Sequence, residues 1–333
     1  MIVDTRLEQL EHWLNGRFGV GTYGLRPVSA DASFRRYFRV SAHGATWVTM
    51  DAPPQHEDCR PFIHVARLLR AAGVNAPEIV AEDLAQGFLL LTDLGDTTYL
   101  AALDPENADQ LMDDAISALV KWQLASREGE LPRYDESMLT REASLFAEWY
   151  LARHLQLAPS SDEQRELGEM VGLIVSRSMA QPSVYVHRDF MPRNLMVADP
   201  NPGVLDFQDA VYGPITYDLV SLMRDAFVSW EEARVLDWSI RYWEKAKRAA
   251  LPVDPDFTTF YRNFEWMGLQ RHLKVLGIFA RLRYRDGKPA YLEDAPRFMR
   301  YARAVAERYP ELKPLARLLD KLESRKPAGR YTF

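Results

Sequence analysis

Residues 183–209 read SVYVHRDFMPRNLMVADPNPGVLDFQD, and their reading decides the fold of the whole chain. Short apolar runs alternate here with turn residues, inside a half of the chain whose apolar spacing is otherwise helical. The run from His187 to Asn194 has the spacing H-x-D-x-x-x-x-N, and Asp206 follows twelve residues after Asn194 in the triplet DFQ. The apolar pieces 195–198 and 204–205 flank Asp199-Pro200-Asn201-Pro202-Gly203, which predicts a hairpin that sets Asn194 and Asp206 side by side. Together they offer neutral and anionic oxygens, hard ligands that magnesium accepts while also binding phosphates. Asp189 lies on the loop just before them and is the candidate base for the proton of an attacking hydroxyl. Arg188 or Arg193 adds positive charge for the transferring group. Three polar residues alone arise easily by chance in a turn-rich loop; the spacing and the hairpin together argue against chance.

Upstream of this stretch the pattern is different. Residues 1–18 read as an amphipathic helix, and residues 23–29, 35–41 and 45–51 as strands, with the turn-rich SADASF between the first two strands. Residues 57–72 have helical spacing and end at Gly73, a C-cap residue, before two more strands at 78–82 and 87–92. From about Thr98 onward the periodicity is almost entirely helical. The expected architecture is α+β and bilobal: a β-rich N-lobe over residues 1–92, a hinge at 93–97, a mostly helical C-lobe over 98–333, and a cleft between the lobes.

At 333 residues, with 47% hydrophobic and 26% charged residues, the chain can bury a large core and is not a disordered class. Cys59 is the sole cysteine, so no internal disulfide and no cysteine-based zinc site is expected. No basic leader followed by an apolar stretch and no long uncharged apolar run occurs, so neither export nor a membrane span is expected, and the cytoplasm is the expected compartment. A net charge of −6 without a long basic run gives nucleic-acid binding little support; KLESRKPAGR near the C-terminus reads as a solvated helix end. Isolated His12, His43, His56 and His64 fit no metal or nucleophile pattern.

The catalytic-loop spacing, the hairpin and the downstream Gly213-Pro214-Ile215-Thr216-Tyr217-Asp218 together resemble the aminoglycoside phosphotransferase and choline kinase superfamily, which shares the protein-kinase-like fold. The resemblance implies ATP and Mg2+ as cofactors, Asp189 as base, Asn194 and Asp206 as metal ligands, and Asp218 and His187 as supports of the catalytic loop. It also places Thr92, Asp93 and Leu94 at the hinge that bonds adenine through its backbone, although a plain turn would read the same way. A protein kinase would show DFG and a long activation segment, whereas Gln208 stands in the glycine's place and only eleven residues separate Asp206 from Asp218.

Two features depart from that superfamily. Its N-lobe lysine should fall near Thr49 or Met50, yet the first lysine of the chain is Lys121. Arg35 and Arg36, just after the covering turn with Ser33 and Phe34, are the candidate substitutes, since a guanidinium clamps phosphate oxygens bidentately; the alternative is that both are solvated strand residues. The turn also lacks G-x-G-x-x-G, leaving small residues such as Ala32 and Ser33 to approach the phosphates.

Over roughly residues 30–301, SFRRYFRV, MDAPPQHEDCRPF, LLLTDLGD, FAEWYLARHL and LQRHLKVLGIFARL look like the bacterial anomeric sugar kinases of cell-wall recycling, which also lack that lysine. This resemblance implies phosphorylation of the C1 hydroxyl of N-acetylmuramic acid and N-acetylglucosamine by a monomer whose small-molecule partners are an amino sugar and ATP. Glu148, Trp149 and Tyr150 on one helix, and Trp266, Gln270, Arg271 and His272 on another, are the candidate sugar contacts, with Arg271 the candidate for the lactyl carboxylate. Aromatics at helical spacing are more often core. Glu148 stands better because a carboxylate beside two aromatics is costly to bury without a partner. Aminoglycoside, choline and homoserine acceptors, and a nucleotide-binding module without catalysis, are the competing readings.

Overall fold

The computed structural model describes residues 4–30 and 34–324. The chain divides into two compact units, neither of them one continuous stretch. The first takes in the chain up to Ala125 together with Arg193–Asp209; the second takes in Ser126–Pro192 and the described chain from Ala210 onward.

The first unit is built on a five-stranded antiparallel sheet. Its strands are β1 (Tyr23–Ala30), β2 (Arg36–Ala42), β3 (Ala45–Asp51), β4 (Ile79–Asp83) and β5 (Phe88–Thr92), in the order β1-β2-β3-β5-β4. The β2–β3 connection is the two-residue turn His43-Gly44, both at positive φ (50° and 77°), the geometry whose twist matches paired strands. Helix α1 (Thr5–Phe18) opens where Asp4 accepts the Leu7 amide at 3.0 Å and stops at Gly19 with φ 91°. Its Leu10, Trp13 and Leu14, at i, i+3 and i+4, form one apolar stripe and pack on Phe38, Val40, Phe88 and Leu90 of the sheet. Helix α2 (Cys59–Ala71) is capped by Asp58, and Gly73 at φ 73° follows it. Helices α3 (Tyr99–Ala102) and α4 (Ala108–Leu124) complete the N-terminal part. The predicted hairpin is present and shorter than expected: Leu195–Met196 pairs with Gly203–Val204.

The second unit is helical apart from one small ladder, Ser183–Val186 against Val211–Pro214. It contains α5 (Glu136–Leu145), running on into a π-helix at Phe146–His154, then α6 (Ser161–Met179), α7 (Tyr217–Met223), α8 (Glu232–Arg248), α9 (Phe257–Tyr284), α10 (Ala295–Arg308) and α11 (Lys313–Glu323). Ser160 and Glu163 close a reciprocal capping box at the start of α6. Helix α9 is the centre of this unit: every residue from Phe264 to Gly277 is buried, because α5, the π-helix, α6, α7 and α10 surround it. The packing against α5 is close enough to require glycine, for a Cβ on Gly277 would stand 2.3 Å from the Leu145 carbonyl carbon. No described helix is long and apolar enough to cross a membrane.

Gly277→Ala is therefore expected to destabilise the chain by about 1–3 kcal/mol through overpacking. Gly172→Ala in α6, where an added Cβ meets nothing within 4 Å, is expected to be neutral or to stabilise by up to about 1 kcal/mol through helix propensity. Urea unfolding of both variants measures the contrast, and equal effects would contradict the close contact.

Candidate active site

The ladder 183–186/211–214 delivers the chain into the loop that carries Asp189. Asp218, in the first turn of α7 and fully buried, accepts the backbone amides of His187 at 2.7 Å and of Arg188 at 2.9 Å. Ser221, one turn on, donates its hydroxyl to the Arg188 carbonyl at 3.3 Å. The ring of His187 packs edge-on to Phe190, and the Met191 amide closes a turn onto the Asp189 carbonyl at 2.9 Å. Arg188 sits at φ +76°, a left-handed conformation that a side chain with a Cβ adopts only where surrounding contacts hold it. Burial raises the Asp218 carboxyl to about 7, against the lowering effect of the two amides; the charge of Asp189 adds to the rise and Arg271 opposes it.

A buried charge cluster stands behind this loop. The Arg188 guanidinium pairs with Glu142 of α5 and lies 5.4 Å from the centre of the Tyr134 ring. Lys274 of α9 reaches the same carboxylate at 3.1 Å and donates to the Tyr217 hydroxyl at 3.0 Å, while Tyr134 donates its hydroxyl to the other oxygen of Glu142. Burial pushes the Glu142 carboxyl up, but Lys274 and Arg188 together pull it below the ordinary carboxylate range, so it is ionised between two cations. Neither Glu142 nor Lys274 is singled out by the sequence, because their partners lie far along the chain.

In the first unit, Asn194 ends a short turn at Pro192–Asn194, and Asp206 sits at φ +61°. The Asn194 side-chain amide is 3.3 Å from an Asp206 carboxylate oxygen, the Leu205 amide donates to the Asn194 carbonyl at 2.9 Å, and Gln208 donates to the other Asp206 oxygen at 2.9 Å. The predicted neighbours are therefore together. Phe207 anchors this segment by packing on Phe62 of α2, with ring centres 4.7 Å apart. The connecting turn is pinned by Asn201, which donates to the Tyr99 hydroxyl and to Asp114, both at 2.8 Å. One carboxylate beside one reorientable amide oxygen suits a magnesium ion that takes its other oxygens from phosphates and water. Among the described residues there is no group of three or more His, Cys, Asp or Glu that would hold a metal by itself.

The other expected positions fall out as follows. Ser33 lies outside the described residues. Phe34 is exposed and stacks on His56 at 4.3 Å. Arg36 bridges Asp51 at 2.6 Å and also pairs with Asp4, and Arg6 holds the second oxygen of the buried Asp51. Arg36 thus carries a folding task at the end of β3, and it is not the solvated strand residue of the bland reading. Arg35 lies near the buried Cys59 thiol. At the position expected for the missing lysine, Thr49 is fully buried and donates to the Leu89 carbonyl at 3.0 Å. In the hinge segment, Thr92 accepts the Glu78 amide at 2.9 Å and Leu94 packs close to Gly203. The Asp93 side chain accepts from the Gly95 amide at 3.0 Å and pairs with the buried Arg39 at 2.6 Å, which also pairs with Asp96. Arg39 is a structural residue that strand periodicity does not reveal.

The candidate sugar contacts stand in different surroundings. Tyr150 is 4% exposed and stacks on Phe146, and Trp266 is 1% exposed and packs edge-on to Tyr309; both side chains sit in the core. Gln270 donates to the Leu139 carbonyl at 3.0 Å inside the helix packing. Glu148 is exposed and accepts from Ser144 at 3.2 Å, so burial cost does not single it out. Trp149 is half-buried. Arg271 is 4% exposed, and its charge acts on Asp218.

The family model described as "Phosphotransferase enzyme family" matches residues 24–253. The chain belongs to that phosphotransferase family. It is 51% identical to the N-acetylmuramate/N-acetylglucosamine kinase of Pseudomonas aeruginosa over 329 residues, covering 96% of this chain and 97% of that one. It is 50% identical to the N-acetylmuramate/N-acetylglucosamine kinase of Neisseria meningitidis, covering 94% and 95%. The crystal structure of ADP-bound aminoglycoside phosphotransferase APH(2'')-Ib is similar in fold, with TM-score 0.58, 15% identity and 90% and 98% of the two chains covered. As a member of the phosphotransferase enzyme family the chain is a kinase-fold enzyme of α+β class.

Removing Glu142 would leave Arg188 and Lys274 buried without a counter-charge, so Glu142→Ala is expected to cost about 3–5 kcal/mol of stability in urea unfolding at pH 7. For Asp218 the sign is the opposite of a paired carboxylate. The folded chain holds its proton up to about pH 7 while the unfolded chain releases it near pH 3.8, so this group's contribution to stability is greatest below pH 3.8 and declines as pH rises toward 7. Unfolding free energies of Asp218→Asn relative to the native chain should therefore shift in the variant's favour between pH 4 and 7 and level off above; a pH-independent difference would refute the assignment.

Proposed function

We propose that the chain is an ATP-dependent kinase that phosphorylates the C1 hydroxyl of N-acetylmuramic acid and N-acetylglucosamine, a monomeric cytoplasmic enzyme that returns cell-wall amino sugars to use. The observation that carries this reading is the anchored Asp189 loop within a chain half identical, nearly end to end, to kinases named for those two sugars. Asp189 accepts the proton of the C1 hydroxyl as its oxygen attacks the γ-phosphorus of ATP; the bond to the ADP oxygen breaks, leaving sugar 1-phosphate and ADP. Asn194 and Asp206 would hold magnesium, which when bound neutralises charge on the phosphates. Arg193, exposed on the turn between Asp189 and Asn194, adds positive charge to the transferring group. The Thr92–Leu94 backbone meets the adenine, and Arg35 or Arg36, the latter also tied to Asp51, faces the phosphates.

One observation favours a second reading. Thr49 spends its hydroxyl on the sheet where the superfamily's lysine would stand, as it would in a nucleotide-binding module without transfer. ATP consumption with magnesium against N-acetylmuramic acid, N-acetylglucosamine, glucose, choline, homoserine and kanamycin separates the two. Turnover with the N-acetyl sugars, yielding the 1-phosphate and falling at least about 100-fold in Asp189→Ala, is the expected result. ATP binding with no acceptor-dependent consumption would support the silent module. Asp206→Asn is expected to raise the magnesium concentration needed for half-maximal turnover by tenfold or more, an order-of-magnitude expectation for loss of a ligand charge; an unchanged requirement would exclude it as a ligand.

A further inference from the structure

Arg39 is a buried cation in the middle of β2. Phe38 and Val40, its neighbours in the strand, pack on α1, so Arg39 points to the opposite face of the sheet, where it is 3% exposed. It is level with Val48 of β3, and Val48 is level with Leu91 of β5, so the side chain crosses β3 toward the segment that leaves the sheet after Thr92.

Among the described residues, all polar contacts of this guanidinium fall on positions 93–96. It stands 2.6 and 2.8 Å from the two oxygens of Asp93, donates to the Gly95 carbonyl at 2.8 Å and pairs with Asp96. Asp93 in turn accepts the Gly95 amide at 3.0 Å, so the N–H and the C=O of Gly95 are both tied down, in a residue at φ 93° where glycine is favoured. Burial pushes the Asp93 carboxyl up, but Arg39, the Gly95 amide and the Thr46 hydroxyl pull it below the ordinary carboxylate range, so it is ionised against Arg39. Arg26 stands 3.6 Å from the outer oxygen of Asp96, and two guanidiniums therefore face two carboxylates.

A pair made only to neutralise a buried charge needs one carboxylate. Here the guanidinium also reaches Gly95 and Asp96, which are exposed, in a loop of the kind that ordinarily keeps its freedom. Leu94 lies between the two tied residues and, among the described residues, its amide and carbonyl make no hydrogen bond within the chain. Those two groups are presented in a fixed direction to a ligand, and a fixed donor and acceptor lose less freedom on binding than mobile ones.

We propose that Arg39 is a positioning residue for the nucleotide: through Asp93 and Gly95 it fixes the peptide groups of residues 92–94 against which the adenine edge docks. This rests on the hinge assignment made above and adds to it the side chain that makes the hinge rigid. The test is Arg39→Lys, which keeps a charge beside the buried Asp93 but cannot span Asp93, Gly95 and Asp96 at once. Asp96→Asn, at a carboxylate 68% exposed, loosens the same clamp without touching the core. Calorimetric titration with ADP and magnesium, at a temperature where circular dichroism shows each variant folded, reads nucleotide affinity without any acceptor. The Kd should rise about tenfold in Arg39→Lys and about threefold in Asp96→Asn, the scale of hydrogen bonds to a charged group. In turnover the change should lie in KM for ATP, with kcat and KM for N-acetylglucosamine within about twofold of the native values. A pair that only stabilises the fold would lower the unfolding midpoint and leave Kd and KM for the nucleotide unchanged, and that result would overturn the proposal. Should Arg39→Lys fail to fold, the Kd of Asp96→Asn decides by itself. A native chain that binds ADP but turns over neither sugar would remove the sugar-kinase reading, and the Kd comparison would still decide the role of Arg39; a native chain that does not bind ADP would overturn both.

Discussion

Two backbone amides, those of His187 and Arg188, end on one buried carboxyl group, and the position of Asp189 is set by that bond pair. Asp218 comes from the first turn of a helix whose seven residues are all buried, so its side chain has little freedom to follow a moving loop. Arg188 in turn is held at three points: its amide by Asp218, its carbonyl by Ser221, and its guanidinium by Glu142. A left-handed residue with a Cβ costs roughly 1–3 kcal/mol, and that conformation persists only because the three contacts over-determine it. The next residue, Asp189, inherits a fixed backbone direction from this strain. Glu142 is what makes the third contact permanent, since it is ionised between Arg188 and Lys274 and needs no added phosphate or partner to hold the arginine.

The first unit disposes of its cations differently. It contains no lysine before Lys121, and its arginines close carboxylates: Arg6 and Arg36 on Asp51, Arg39 on Asp93 and Asp96. Asp51 is fully buried at the end of β3, where an unpaired carboxylate would be too costly to keep, so its two guanidiniums are committed to folding before any ligand arrives. On the proposed function, neutralisation of the nucleotide's phosphates then falls chiefly on a metal held by Asn194 and Asp206 and on Arg193. A kinase that assigns this task to a metal and to the catalytic loop can dispense with a lysine in the third strand, whose place Thr49 fills with a hydrogen bond to the sheet.

The strands, the first helix and the hairpin between Asn194 and Asp206 were legible in the sequence because each depends on local pattern. Strand alternation, Asn/Asp/Pro/Gly turns and cap residues act over a few positions, and the five strands of the sheet and helices α1 and α2 begin and end within a few residues of where those signals put them. The adjacency of Asn194 and Asp206 was legible for the same reason, since they are close in the chain. What escaped reading depends on partners far apart in sequence. Glu142 and Lys274 meet across 132 positions, and Arg39 meets Asp93 across 54. The burial of Trp266 escaped reading for another reason, since helix periodicity marks a polar and an apolar face only when one face meets water. A helix enclosed on all sides, as α9 is, has no such face, and a polar residue on it carries no outward label.

That enclosed helix also shows why its polar residues are informative once the structure is known. Burying Glu265, Gln270, His272 and Lys274 in one run costs free energy at each position unless a partner is supplied. Glu265 has Arg308 and Tyr309, Gln270 has the Leu139 carbonyl, and Lys274 has Glu142 and Tyr217. These partners come from the elements that pack on α9, so the three residues fix how the second unit assembles. The neighbours of His272, Phe298 and Tyr301, present rings to it and neither ring nitrogen is bonded; the Gln270 amide oxygen and one Arg271 guanidinium nitrogen are likewise left open. An open buried group costs about 1–3 kcal/mol, a penalty with no return in assembly.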